Sequence, residues 1–154
     1  MIMAKMFNGI VLREQILKFV RHYITKPQKK IGGMAICPFA KQYLSDIEVI
    51  VVEDYAKHID TVCQLIHPLH VEAVVIGGPM QDYDEMYSMV AHFNKRYHKR
   101  DIEILLMHPD TEEPPLPLNY NFKYSPLVIV QKRSTLQKAR NILEKSGRYY
   151  KYYK

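Results

Sequence analysis

The stretch Ile47-Glu48-Val49-Ile50-Val51-Val52 is the first of three apolar runs rich in β-branched residues, and the others cover positions 71–76 and 102–107. The first two runs are almost continuously apolar, which is typical of strands that are buried on both faces of a sheet. We therefore predict three strands in the core of the fold.

Helical spacing fills the two intervals between these runs. Ile59, Val62, Cys63 and Ile66 recur at helix period in the first interval. The second interval begins with acidic residues, ends with basic residues, as suits a helix dipole, and carries an apolar stripe of Tyr83, Met86, Tyr87, Val90, Phe93 and Tyr97. Strand, helix, strand, helix, strand predicts two right-handed crossovers and a parallel core sheet.

The remaining segments extend this pattern at both ends. Asn8 can cap an amphipathic first helix, and 25–33 has the Pro and Gly of a loop. A Pro-rich loop, 108–124, leads to a fourth strand at 127–130, and Ser134 with Gln137 forms a capping-box pattern for a last helix. We expect one α/β domain over 1–147, with a mostly parallel four-stranded sheet and helices on both faces.

The order of elements from Ile47 is βαβαββα, after an N-terminal helix. That order is also the thioredoxin one, so a thioredoxin-like topology is one reading of the pattern. The long loop before the fourth strand leaves the direction of that strand open.

Composition narrows the class of protein. A chain of 154 residues with only two cysteines and a formal charge of +6 needs no disulfide framework or structural metal. We expect neither a signal peptide nor a membrane span, because residues 1–15 hold no long uninterrupted apolar region and no later apolar run approaches ~20 residues. We expect a cytoplasmic protein without membrane insertion.

A cysteine stands where chemistry could occur. Cys37 precedes Pro38, which is favoured at the first position of a helix, so Cys37 is a candidate N-cap. The positive end of a helix dipole lowers the pKa of a thiol there. The alternative is that Cys37 is a small buried apolar residue.

Ligands of open α/β sheets bind outside the carboxyl ends of the parallel strands. This rule brings 53–54, 77–79 and 108–110 to one rim, together with Cys37, and also 124–126 if the fourth strand is antiparallel to the third. We predict Cys37 as nucleophile or redox thiol, His108 as its base, and Asp110 or Asp54 as the group that orients the imidazole. The predicted ligand-binding residues are Gly77, Gly78, Lys123 and Ser125.

Plainer interpretations of the same residues stay open. His108 could cap a backbone carbonyl at a strand end, and Pro38, Pro109 and Pro126 could simply fix the backbone. No cofactor or metal is predicted. His58, Cys63, His67 and His70 do not assemble four tetrahedral ligands from one helix, and the acidic turn after Gly78 disfavours phosphate.

The motifs Cys37-Pro38-Phe39-Ala40, His108-Pro109-Asp110 and Ser125-Pro126 resemble the family known as domain of unknown function 1415, in the same order over about 36–139. The chain departs from that family at Lys123-Tyr124, where Asn-Arg is usual. It also has Ile129 and Lys132 where a His and an Arg are expected. If those two were catalytic, this chain would be an inactive or altered relative. The resemblance groups the motifs and supplies no reaction.

The last seven residues alternate cations with tyrosines: Arg148, Tyr149, Tyr150, Lys151, Tyr152, Tyr153 and Lys154. Tyrosine rings can stack on unpaired bases while the cations neutralise phosphates.

From the rim residues, the predicted function is a thiol-dependent enzyme or a binder of an unknown small molecule at the carboxyl rim. The alternative is a nucleic-acid-binding or non-catalytic interaction protein that uses this tail.

Overall fold

A four-stranded sheet flanked by helices organises the chain in a computed structural model, which describes residues 8–22, 27–28, 34–35, 46–110 and 122–146. The helices are α1 (Gly9–His22), α2 (Tyr55–Leu65), α3 (Tyr83–Tyr97) and α4 (Arg133–Ser146), and a 3₁₀ turn (His98–Arg100) follows α3. The strands are β1 (Pro27–Gln28), β2 (Met34–Ala35), β3 (Ile47–Val51), β4 (Ala73–Gly77), β5 (Ile102–Met107) and β6 (Leu127–Lys132). The α/β class predicted from the three apolar runs is confirmed.

The sheet is mixed, so the prediction of a mostly parallel sheet is wrong. Its order is β3-β4-β6-β5, in which only β3 and β4 pair in parallel and β6 is antiparallel to both of its neighbours. The long connection after β5 lets the chain return in the opposite direction between β4 and β5. This spatial order does not confirm the thioredoxin-like topology.

Burial explains why β6 lies inside the sheet. Every residue of β4 is buried, and Leu127, Val128 and Val130 of β6 are almost inaccessible to solvent. The edge strands β3 and β5 keep partly exposed positions. The centre, where both faces are covered, is thus occupied by β4 and β6, whereas the run 47–52, predicted to be buried on both faces, forms the edge strand β3.

Helices cover both faces of the sheet. On one face α2 and α3 pack on the even-numbered positions of the strands, and the buried cluster there includes Tyr55, Ile59, Cys63, Val74, Ile76, Met86, Val90, Phe93, Ile104, Val128 and Val130. On the other face α1 packs Leu12, Ile16 and Val20 against Val49, Val75, Phe122 and Leu127. Alternation of side chains along each strand separates the two clusters.

Three helices begin at a polar residue that caps them, and of these residues Asn8 was predicted as a cap from the sequence. Asn8, Asp54 and Asp82 accept the N–H groups of Val11, Lys57 and Glu85 at 3.2, 3.4 and 3.2 Å. These bonds satisfy N–H groups that have no partner inside the helix.

The first turn of α4 is capped from a distant loop, so the predicted capping box of Ser134 and Gln137 is wrong. Asp101 accepts the backbone N–H of Ser134 at 2.7 Å and its hydroxyl at 2.5 Å. Gln137 instead donates to Asn141. A carboxylate 33 residues earlier in the chain thus takes the capping role.

Two smaller expectations also change. Pro27–Gln28, predicted as part of a loop, pairs antiparallel with Met34–Ala35, and Tyr87 of the predicted apolar stripe is exposed. The predicted helix at Cys37 and the tail at 148–154 lie outside the described residues. Within the described ranges, no helix is long and apolar enough to cross a bilayer.

Candidate functional site

The ends of β3, β4 and β5 meet the start of β6 at one edge of the sheet, which we call the carboxyl rim. It comprises 52–55, 77–82, 107–110 and 122–127. The strand register sets Val51 beside Gly77, and Gly77 and Met107 on either side of Leu127. The four segments singled out in the sequence, 53–54, 77–79, 108–110 and 124–126, are thereby brought together.

Tyr55 ties three of these segments to one another. Its ring is buried, and its hydroxyl lies 3.1 Å from the carbonyl oxygen of Pro79 and 3.2 Å from that of Pro126. Burial raises the pKa of Tyr55 above the ordinary value of 10.0, so the hydroxyl stays protonated and can donate to these carbonyls. The exits of β3 and β4 and the start of β6 therefore share one hydrogen-bonding centre.

Gly78 makes room for that tyrosine. A Cβ atom at Gly78 would lie 2.6 Å from the carbonyl oxygen of Val52 and 2.9 Å from Cζ of Tyr55. A Cβ atom at Gly77 would meet the terminal methyl of Ile16 and lie 3.5 Å from Oγ of Ser125. The space beside these two glycines, which were predicted to bind a ligand, is thus filled by the protein's own backbone and side chains.

His108 has no exposed surface, and both of its ring nitrogens contact the backbone. Nε2 lies 2.7 Å from the carbonyl oxygen of Gln81, and since a carbonyl only accepts, Nε2 carries the proton. Nδ1 accepts the N–H of Asp110 at 3.0 Å. The lone pair that a general base would need is engaged in this arrangement.

The two carboxylates predicted to orient His108 are placed differently. Asp110 has a side chain that is 78% exposed, and its Oδ2 lies 3.9 Å from Nδ1, the nitrogen without a proton. Asp54 caps α2, and its backbone carbonyl accepts a bond from His58 at 2.9 Å. Neither carboxylate accepts a hydrogen bond from the His108 ring.

The predicted ligand-binding residues divide into buried and exposed groups. Ser125 is buried and donates its hydroxyl to the carbonyl of Pro126 at 3.1 Å, and Gly77 and Gly78 are buried as well. Lys123 is exposed. Two apolar residues on the same loops also face solvent: Met80 is 56% exposed and Tyr124 is 66% exposed.

Cys63 is excluded as a reactive thiol by its surroundings. It lies on the buried face of α2, where burial and then the charge of Asp60 raise the pKa of its thiol from 9.0 to about 12. The thiol is therefore protonated at neutral pH. Within the part of the chain that the structure describes, no three His, Cys, Asp or Glu side chains are grouped to hold a metal ion.

Cys37 and the tail from Arg148 to Lys154 lie outside the described residues, so their distances to His108 and to the rim are not part of this geometry. Their predicted roles as nucleophile and as nucleic-acid contact stay predictions. The catalytic role of His108 depends on Cys37 and stays a prediction with it.

Sequence reasoning missed Tyr55 and Gln81. Tyr55 precedes Ile59 by one helical turn and continues the stripe through Cys63 and Ile66, so its burial could have been predicted from spacing. Gln81 contributes only its backbone carbonyl, which any residue possesses. No signal in the sequence points to it.

No family model, no curated protein and no solved structure matches the chain. The resemblance to domain of unknown function 1415 stays a prediction that rests on its motifs.

Proposed function

We propose that the protein is a binding module that takes a small molecule at the carboxyl rim. In this proposal Tyr55, His108 and Ser125 form the frame of the site, and exposed side chains on the loops above them make the contacts. Binding sites are commonly built on loops that a rigid scaffold positions.

One observation carries the proposal: the Tyr55 hydroxyl bonds to both Pro79 and Pro126. Met80 follows Pro79, and Tyr124 stands two residues before Pro126, so two exposed apolar side chains extend from loops that a single buried group joins. Such preorganisation reduces the ordering that a ligand must bring about on binding.

The exposed groups suggest the chemistry of the ligand. Met80 and Tyr124 offer apolar surface, while Lys123 and the carboxylate of Asp110 offer one charge of each sign. Sites of this kind combine apolar contacts with a few polar groups that fix orientation. A small molecule with an apolar body and a charged end fits this set.

The test uses the two exposed apolar residues of the rim. Ligand-observed NMR with a set of small metabolites identifies a binder. The affinity of the double variant Met80→Ala/Tyr124→Ala for this binder is then compared with that of the wild type. We expect at least about a tenfold loss, or ~1.4 kcal/mol, with an unchanged melting temperature. Leu69→Ala, which removes an exposed apolar side chain at the opposite end of the sheet, is the matched control and keeps the affinity of the wild type. Equal losses in both variants would contradict the proposal.

A thiol-dependent enzyme at the same rim is the second candidate. Because burial keeps the Cys63 thiol protonated and the chain has two cysteines, this candidate assigns the reactive thiol to Cys37. The rate of alkylation of Cys37 against pH tests it in a Cys63→Ala background. A midpoint well below the ordinary ~8.5 supports a reactive thiolate, whereas slow labelling with an ordinary midpoint argues for a structural cysteine.

A further inference from the structure

The end of α3 and the 3₁₀ turn after it place four cations within six residues, at the edge of the sheet opposite the carboxyl rim: Lys95, Arg96, Lys99 and Arg100. Arg133, the first residue of α4, joins them, because its Nη1 lies 2.9 Å from Nδ1 of His98. We call these five cations the amino-edge basic surface.

Neighbouring carboxylates leave most of this charge without a counterion. Asp101 is engaged by the N–H and hydroxyl of Ser134, and Asp60 accepts the hydroxyl of Tyr97. Nη1 of Arg96 lies 3.9 Å from Oδ1 of Asp60, which is a long and therefore weak ion pair at the surface. Among the described residues, no carboxylate forms an ion pair with Lys95, Lys99, Arg100 or Arg133.

Helix-dipole compensation accounts for only part of the cluster. The carboxyl end of a helix carries roughly half of one negative elementary charge. Four cations at the end of α3 exceed that several times over, and their mutual repulsion opposes folding. A surface that retains such repulsion is suited to an anionic partner.

Two of the guanidinium groups are held in place before any partner arrives. The Cζ atoms of Arg96 and Arg100 lie 5.7 and 5.6 Å from the centroid of the Tyr97 ring, in cation–π geometry. The ring is fixed in turn, because its hydroxyl bonds to Asp60 and accepts from Gln64 at 3.4 Å. Guanidinium groups match the geometry of phosphate oxygens better than ammonium groups do.

We propose that the amino-edge basic surface binds the phosphate backbone of a nucleic acid. This site is separate from the carboxyl rim and from the tyrosine-rich tail. The apolar stripe of α3 is buried in the core, so it is not available to a bilayer as the apolar face of a membrane-surface helix is. Leu65 and Leu69 are exposed at the end of α2, near the contact of His67 with the carbonyl of Arg100, so anionic vesicles serve as a competing probe.

The test compares two triple variants of the full chain that lose the same charge. Arg96→Gln, Lys99→Gln and Arg100→Gln remove three of the five cations of the amino-edge basic surface, whereas Arg13→Gln, Lys18→Gln and Lys57→Gln remove three exposed cations elsewhere. Fluorescence anisotropy follows binding to labelled single-stranded and duplex DNA of about 20 nucleotides, between about 50 and 200 mM salt, where phosphate contacts dominate the salt dependence.

We expect the first triple variant to bind DNA at least about tenfold more weakly than the wild type. Its slope of log affinity against log salt should be shallower by about 2 to 3. The control should change affinity by about twofold at most. Arg96→Lys with Arg100→Lys retains the charge and should retain most of the slope. If the triple variant fails to fold, Lys99→Gln alone replaces it, because this exposed change spares the Tyr97 contacts. It should reduce the slope by about 0.7 to 0.9.

Three results would overturn the proposal. They are equal weakening by both triple variants, no measurable binding of either DNA by the wild-type chain, and binding to vesicles of phosphatidylcholine with phosphatidylserine in the absence of binding to DNA. Loss of binding at the carboxyl rim is measured separately, with the small-molecule ligand, so the two proposals stand or fall independently.

Discussion

The ring of Tyr55 fills the space that a side chain on Gly78 would need, since a Cβ atom there would lie 2.9 Å from Cζ of that ring. This contact brings the exit of β3 against the exit of β4 and holds the Tyr55 hydroxyl between the carbonyls of Pro79 and Pro126. Close packing inside the protein therefore explains why position 78 is a glycine.

The two glycines should respond differently to the same added methyl group. Gly78→Ala meets backbone at Val52 and the Tyr55 ring, and we expect a loss of about 1–3 kcal/mol in unfolding free energy, as for overpacked cores. Gly77→Ala meets the movable end of Ile16, so its loss should be smaller. Urea unfolding of both variants measures this. A Gly77 variant that is the less stable of the two would contradict the packing account.

His108 should contribute to stability through its two backbone contacts. His108→Ala leaves the carbonyl of Gln81 and the N–H of Asp110 without their partner. We expect the unfolding free energy to fall by about 1–3 kcal/mol. His108→Gln restores a donor and should recover part of that loss. His22→Ala, at an exposed position, is the control for denaturant unfolding. An alanine variant as stable as the wild type would favour a ring that is free to act as a base.

Much of the fold follows from local pattern. The β4 run and its flanking helices α2 and α3 were predictable because apolar residues recur at strand or helix period, and α1 begins after Asn8 as capping preference predicts. The pairing of β6 was not predictable. Its direction and its place between β4 and β5 depend on contacts between distant segments, and the long loop before it constrains neither.

The candidate site was predictable as a location and less so as chemistry. The rule for carboxyl ends of strands collects His108, Gly77 and Ser125 at one rim, but sequence does not reveal which polar groups are already bonded internally. The bonds of His108 to Gln81 and Asp110 arise from backbone atoms that every residue carries. Tyr55, by contrast, could have been identified from its place in the stripe of α2.

Asn94 should protect an edge of the sheet. Its amide lies beside the edge strand β5, donating to the carbonyl of Ile104 at 2.9 Å and accepting its N–H at 2.8 Å. Asn94→Ala leaves both groups without this partner, and we expect the unfolding free energy to fall by about 1–3 kcal/mol. We also expect greater self-association, because the open edge of a sheet can pair with a strand of another chain. Asn141→Ala on α4 is the control. Denaturant unfolding and light scattering measure the two effects, and an unchanged midpoint would argue against an edge cap.

Cys63 should make stability depend on alkaline pH. Burial raises the pKa of its thiol in the folded chain to about 12, above the 9.0 of the free group, so its stabilising contribution is complete below pH 9. That contribution decreases as the pH rises from 9 towards 12. The stability difference between the wild type and Cys63→Ala should therefore shrink over this interval in denaturant titrations. A difference that stays constant would show that the thiol ionises equally in both states.

The most direct test of ligand binding at the carboxyl rim is a map of backbone amide shifts in NMR spectra as a bound metabolite is added to the full chain. If the ligand binds at the rim, we expect the largest shifts at Gly78, Met80, Gln81, Lys123 and Tyr124, with little change at the amino edge of the sheet. Largest shifts at Lys99, Arg100 and Asp101 instead, with the rim amides unmoved, would contradict it.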